Sequence, residues 1–169
     1  MRKAKLATVW LDGCSGCHMS MLDIDETLLS LAAKVDLVYG PLVDAQEFPK
    51  GVDVAIVEGA VSSQDDLEKV RLIRSRSKVV VALGDCAVTS NVPAMRNNTP
   101  VKKLLDGIYG TPPTDGVPPL LKHAVPVGDT VKVDLHVPGC PPPASAIAFV
   151  LGELVEGRMP DLAGKVKFG

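Results

Sequence analysis

The chain has 169 residues, a net charge of −2 and 46% apolar residues, which suffices for the core of one globular domain. The near-neutral charge and the lack of a basic stripe argue against nucleic-acid binding. No apolar run approaches the roughly 18 residues that a membrane-spanning helix requires. We therefore expect residues 1–169 to form a single domain without a membrane span.

Five short aliphatic segments are predicted to be β-strands, at 6–11, 35–39, 52–57, 78–83 and 131–137. Most of them read as short aliphatic runs rather than as a strict alternation, which is typical of a parallel sheet covered on both faces. Apolar residues at helical spacing predict helices at 20–34, 64–76 and 145–157. This alternation predicts an α/β fold with a flavodoxin-like, doubly wound parallel sheet and strand order 2-1-3-4-5.

The segment 91–128 interrupts the alternation. It contains seven prolines, at positions 93, 100, 112, 113, 118, 119 and 126, and one modest helical pattern near 101–105. A proline-rich stretch of this length inside a compact domain is expected to be an ordered insertion or a surface that faces a partner.

All four cysteines of the chain follow predicted strands. Cys14 and Cys17 follow the first strand, Cys86 follows the fourth and Cys140 follows the fifth. Because the carboxyl ends of parallel strands meet at one edge of the sheet, we expect the four sulfurs to gather there. Four thiolates suit either a tetrahedral zinc ion or an iron–sulfur cluster. The N-terminus has no export signal, so we expect a cytoplasmic protein, in which disulfides rarely persist.

The spacing of the cysteines favours a [4Fe–4S] cluster over zinc. Structural zinc sites usually take their ligands as two C-x-x-C pairs, and only residues 14–17 form such a pair here. Three separate loops suit a cubane cluster better, because each loop reaches a different corner. Four glycines beside the cysteines allow backbone N–H groups to approach the sulfurs: Gly13, Gly16, Gly84 and Gly139. The alternative is a zinc-stabilised binding module with no redox role.

Two further residues are candidates for a role beside the cysteines. Glu58, at the end of the third strand, is expected to lie beneath the site and either to relay protons or to accept hydrogen bonds from loop N–H groups. His18, next to Cys17, either bonds a cluster sulfur or a partner, or is a surface residue. Structural roles are expected for His123 and His136, and Trp10 is expected to pack either in the core or at an interface. Flavin binding by this chain is not favoured, since cysteines occupy the loop where flavodoxins bind phosphate.

Four motifs, in this order, resemble the cluster-binding motifs of nickel–iron hydrogenase small subunits. They are VWLDGCSGC at 9–17, VEGA at 57–60, GDCA at 84–87 and VPGCPP at 137–142. The resemblance extends from residue 5 to about residue 157. It implies that Cys14, Cys17, Cys86 and Cys140 hold the [4Fe–4S] cluster nearest to the nickel–iron site, which belongs to a separate large subunit.

Within that family, the chain looks most like the small subunit of the cytoplasmic, bidirectional NAD-reducing type. Exported members have a twin-arginine leader and a long C-terminal domain for two further clusters, whereas this chain reaches Cys14 almost at once and ends at Gly169. The resemblance implies an electron relay that is not catalytic alone. Its implied partners are the large subunit with the NiFe site, and diaphorase subunits that carry flavin, iron–sulfur clusters and bound NAD.

The chain departs from the family pattern at two points. Met19 stands where the exported enzymes often have glutamate, so a proton role is not transferred to this position. The glycine pair that often follows the third cysteine is replaced by AVTS at 87–90, so we expect a differently shaped loop after Cys86.

Two relatives are the nearest alternatives. A homologous subunit of complex I, the NADH:quinone oxidoreductase, typically has two adjacent cysteines in its first motif, whereas Ser15 and Gly16 separate Cys14 from Cys17. The small subunit of archaeal-type cofactor-reducing hydrogenases usually carries additional cysteine-rich segments, and none occurs in this sequence.

Overall fold

The computed structural model describes residues 2–111 and 115–169. Its strands are β1 (Ala4–Trp10), β2 (Val35–Tyr39), β3 (Val52–Glu58), β4 (Val61–Ser63), β5 (Ser77–Leu83), β6 (Leu120–Val125) and β7 (Leu135–Val137). Its helices are α1 (Gly16–Leu22), α2 (Thr27–Ala32), α3 (Gln64–Arg76), α4 (Asp85–Thr89), α5 (Val101–Tyr109) and α6 (Ala144–Val155). Short 3₁₀ helices span Val92–Asn98 and Val127–Asp129. Within the described ranges, no helix is both long and apolar enough to cross a membrane.

Five strands form one sheet in the order β2-β1-β3-β5-β7, and every neighbouring pair is parallel. The predicted order 2-1-3-4-5 is confirmed, since β5 and β7 are the fourth and fifth predicted strands. The predicted flavodoxin-like α/β class is confirmed with it. The carboxyl ends of β1, β3, β5 and β7 therefore lie side by side at one edge.

Alternate side chains of the central strand β3 enter two separate cores. Val54 and Ile56 pack into the core that contains residues of α6, whereas Ala55 and Val57 pack into the core that contains residues of α3. This period of two is what a strand with both faces buried produces. Both faces of the sheet are thus covered by helices. The ends of the strands remain accessible for a site.

The helix predicted at 64–76 matches α3 residue for residue, because its start is strongly encoded. Ser63 Oγ accepts the N–H of Asp66 over 3.1 Å, and Asp66 Oδ2 accepts the N–H of Ser63 over 2.9 Å, which forms a reciprocal cap. The helix predicted at 145–157 corresponds closely to α6. The single helix predicted at 20–34 is wrong: it is two short helices, α1 and α2, interrupted near Asp25, which has a left-handed φ of 54°.

The predicted fifth strand at 131–137 is too long, since only Leu135–Val137 pairs with β5. The reason lies at Asp134, whose side chain accepts the backbone N–H of Val80 over 2.9 Å. The N–H of Val80 is therefore bonded to a side chain. In a longer fifth strand it would instead donate to a backbone carbonyl of that strand.

The insertion at 91–128 contains more structure than the sequence indicates. β6 pairs antiparallel with β4 as a second, two-stranded sheet, and α5 extends beyond the predicted helical piece. The side-chain amide of Asn97 forms two hydrogen bonds with β6. Its Nδ2 donates to Ala124 O over 2.8 Å, and its Oδ1 accepts the N–H of Ala124 over 2.7 Å. β6 is thus held by β4, which lies outside the insertion, and by Asn97 within it. Two prolines of the insertion, Pro112 and Pro113, lie outside the described residues.

Candidate functional site

The four cysteines lie in loops and helix starts at the carboxyl edge of the sheet. Cys14 follows β1, Cys17 lies in α1, Cys86 lies in α4 directly after β5, and Cys140 follows β7. All four are free thiols. Because β1, β3, β5 and β7 are consecutive neighbours in the sheet, their loops converge on the same place.

The cysteines are close enough to influence each other's protonation. The pKa of Cys17 is raised, first by burial and then by the negative charges of Glu58 and of the other three cysteines. Burial, followed by Cys140 and Cys14, also raises the pKa of Cys86. A thiolate at Cys17 or Cys86 is therefore unfavourable unless positive charge lies nearby. The iron ions of a cluster supply that charge, so the donor set fits an iron–sulfur cluster.

A single metal ion would need several of these side chains to converge on one point. Within residues 2–111 and 115–169, no group of three or more His, Cys, Asp or Glu side chains is placed to hold one ion.

Gly84 makes room for the sulfur of Cys17. It has a φ of 83°, which favours glycine, and a Cβ at this position would overlap Cys17 Sγ. At Gly16, a Cβ would lie 3.2 Å from Cys14 Sγ. Two of the predicted glycines therefore do lie against candidate ligand sulfurs.

Asp85 ties the loops of Cys86 and Cys140 together, a role that the sequence analysis missed. The buried Asp85 donates its N–H to Gly139 O over 2.9 Å and accepts the N–H of Gly139 on Oδ1 over 2.6 Å. Its other oxygen, Oδ2, accepts the N–H of Gly169 over 3.0 Å. The only sequence signal for this role is an acidic residue directly before a candidate ligand.

Glu58 and His18 form a buried pair next to Cys17. Glu58 Oε2 accepts the backbone N–H of His18 over 3.1 Å and also pairs with Nδ1 of the His18 ring. The surface alternative for His18 is wrong, because the residue is 6% exposed. Its Nε2 is buried and has no hydrogen-bond partner in the described part of the chain.

The other singled-out residues lie at the surface. Trp10 is 41% exposed, so it is not a core residue, and its ring packs edge-on against His18 at a centroid distance of 5.4 Å. Met19 and Leu22 on α1 are also exposed. His123 on β6 and His136 on β7 are both exposed.

Comparison with known proteins gives consistent results. The family model described as "NADH ubiquinone oxidoreductase, 20 Kd subunit" matches residues 14–154. The NAD-reducing hydrogenase HoxS subunit delta of Cupriavidus necator is 37% identical over 97% of this chain and 84% of its own length. A crystal structure of NAD+-reducing [NiFe]-hydrogenase contains a chain that superimposes with a TM-score of 0.94 at 36% identity, covering 99% of this chain and 100% of that one.

Archaeal hydrogenase subunits are similar as well, but they are longer. In Methanocaldococcus jannaschii, a subunit of the vhu F420-non-reducing hydrogenase is 36% identical over 96% of this chain, which covers 59% of that protein. The chain thus spans about three fifths of the length of this relative. The resemblance to hydrogenase small subunits is confirmed. The chain belongs to the NADH ubiquinone oxidoreductase 20 kDa subunit family, as one of its hydrogenase small-subunit members.

Proposed function

We propose that the chain is the electron-transfer small subunit of an NAD-reducing [NiFe] hydrogenase. In this proposal, Cys14, Cys17, Cys86 and Cys140 hold one [4Fe–4S] cluster. The observation that carries it is the gathering of every cysteine of the chain at one sheet edge, in a fold that matches a chain of an NAD+-reducing [NiFe]-hydrogenase over its full length.

The bound cluster would supply one-electron transfer, and the chain's own residues would hold it. Thiolates from three loops would reach separate corners, and Gly84 would leave space beside Cys17. Asp85 would fix the relative position of the Cys86 and Cys140 loops through its bonds to Gly139. The chain has four cysteines in all, so none is left to hold a nickel–iron site. The catalytic metals therefore belong to the proposed large subunit.

The surface near the candidate site supports a partner there. Trp10, Met19 and Leu22 are exposed apolar residues at the end of β1 and on α1. Exposed apolar residues that form one patch are commonly covered by a partner chain. We assign this face to the large subunit, and we assign flavin, NAD and the further clusters to diaphorase subunits in the same complex. A cytoplasmic location, where the thiols stay reduced, is part of this proposal.

A cluster-bearing subunit of a complex I-like NADH:quinone oxidoreductase is the second candidate, because the matching family model carries that name. Two observations favour the hydrogenase. Ser15 and Gly16 separate the first two cysteines, and HoxS subunit delta aligns over 84% of its length.

Anaerobic co-expression with a hydrogenase large subunit and diaphorase subunits tests the proposal. The purified complex is expected to reduce NAD+ with hydrogen, and the Cys86→Ala variant is expected to abolish this activity. Hydrogen-dependent dye reduction by the isolated chain would contradict the relay role. Quinone reduction by an NADH-fed complex that has no hydrogen activity would favour the complex I-like alternative.

A further inference from the structure

Asn91 lies two residues beyond α4, the helix that carries Cys86, and its side chain contacts another cysteine. The amide Nδ2 lies 3.6 Å from Cys140 Sγ, a hydrogen-bonding distance for an N–H donor and a sulfur acceptor. The two residues are 49 positions apart in the chain. The contact is therefore produced by the fold and not by local sequence.

The backbone at this point adopts angles that residues with side chains rarely adopt. Ser90 has a φ of 66°, and Asn91 has a φ of 28° with a ψ of −119°. Glycine would adopt positive φ angles without steric cost, yet neither residue is glycine. Strained residues of this kind persist only where the surrounding structure fixes them, and they concentrate at functional sites.

Hydrogen bonds on both sides fix the strained pair. The Ser90 N–H donates to Cys86 O over 3.0 Å. The Ala94 N–H donates to Ser90 O over 3.1 Å and to Asn91 O over 3.2 Å. Ser90 is also 1% exposed, so it is enclosed by its neighbours. The Asn91 side chain therefore starts from a backbone that is anchored to α4 before it and to the 3₁₀ helix Val92–Asn98 after it.

We propose that Asn91 raises the reduction potential of the cluster by donating an N–H hydrogen bond to the Cys140 thiolate. The inference rests on the proposed function, because it requires Cys140 to hold the cluster. On reduction the cluster takes up one electron, and part of the added negative charge resides on its sulfur ligands. A fixed donor stabilises this more negative form more than the oxidised form, which raises the potential. Asn91 acts through Cys140 and is thus a positioning residue.

The test is a mediator-controlled redox titration of the full chain with its cluster. The reduced cluster is monitored by electron paramagnetic resonance. Asn91→Gly removes the amide and accommodates the same backbone, so we expect normal iron content and a lower potential. Asn91→Asp keeps the size of the side chain, lacks the donor and adds a negative charge at neutral pH, so we expect a larger fall.

Ser90→Gly is the matched control. It relieves the same kind of backbone strain and keeps the Asn91 amide, and the hydroxyl that it removes has no hydrogen-bond partner in the described residues. Its potential is expected to equal that of the wild type.

An unchanged potential in Asn91→Gly, with full iron content, would overturn the inference and leave the proposed function intact. An equal fall of the reduction potential in Ser90→Gly would also overturn the inference, because the change would then result from the backbone and not from the Asn91 amide. A wild-type chain that binds no iron would instead reject the proposed function, and the inference with it.

Discussion

Glu58 and His18 connect the central strand to the first cysteine loop. The carboxylate lies at the end of β3, and its Oε2 accepts the backbone N–H of His18 over 3.1 Å while it pairs with the ring Nδ1. Both residues are buried, at 3% and 6% exposure. His18 directly follows Cys17 on α1, so this pair fixes the start of that helix, and with it a candidate ligand, to the sheet.

Removal of the Glu58 carboxylate is therefore expected to weaken the loop. In Glu58→Ala the backbone N–H of His18 loses its acceptor and the buried His18 ring loses its partner, at a cost of about 1–3 kcal/mol in the free energy of unfolding. Cluster content is expected to fall together with stability, as measured by denaturant unfolding and iron analysis. Glu68→Ala on α3, an exposed glutamate, is the control and is expected to change neither.

Glu58→Gln separates the structural role from a proton relay. Glutamine keeps an oxygen that accepts the His18 N–H but cannot carry a proton, so the structural role predicts near-normal cluster content and hydrogen turnover in the assembled complex. Normal assembly with strongly reduced turnover would show instead that Glu58 relays protons.

Asp85 is expected to govern how firmly the cluster is held. Asp85→Asn keeps the size of the side chain, but its amide nitrogen cannot accept a hydrogen bond, so either Gly139 N–H or Gly169 N–H loses its acceptor. We expect the variant to lose iron to a chelator faster than the wild type. The loss is measured as the decay of visible absorbance. Asp65→Asn, at an exposed position of α3, is the control. Equal rates of iron loss in wild type and Asp85→Asn would contradict the role of Asp85 in tying the two loops.

Gly84→Ala tests the space beside Cys17. The new Cβ would overlap Cys17 Sγ, and the φ of 83° strains any residue with a side chain, so we expect loss of the cluster. The matched control is Gly152→Ala in α6, where a Cβ meets nothing within 4 Å. That control is expected to retain the cluster and to gain up to about 1 kcal/mol of stability, because alanine is the better helix former. Full iron content in Gly84→Ala would show that the loop has another arrangement.

The sheet and its order could be predicted because their determinants are local and repetitive. Short apolar runs such as 54–57 specify strands that are buried on both faces, and the alternation with helices limits the possible connections. The start of α3 is encoded by the reciprocal cap of Ser63 and Asp66. The edge at which the four cysteines lie follows from this topology.

The remaining features depend on contacts between distant parts of the chain. β4 has only three residues and exists through its pairing with β6, which lies in the insertion. Asp85 and Asn91 act on residues about 50 positions away, and no periodic pattern marks them. The left-handed residue Asp25, which divides the predicted first helix, likewise has no distinctive local signal.

Analysis of iron and acid-labile sulfide in the anaerobically purified chain tests the proposed cluster most directly. A [4Fe–4S] cluster on Cys14, Cys17, Cys86 and Cys140 predicts roughly four iron and four sulfide per chain, with a visible spectrum that bleaches on reduction. Replacement of any one of these cysteines by alanine is expected to remove that signal. Stoichiometric zinc without iron, or full iron content in a cysteine variant, would contradict the assignment.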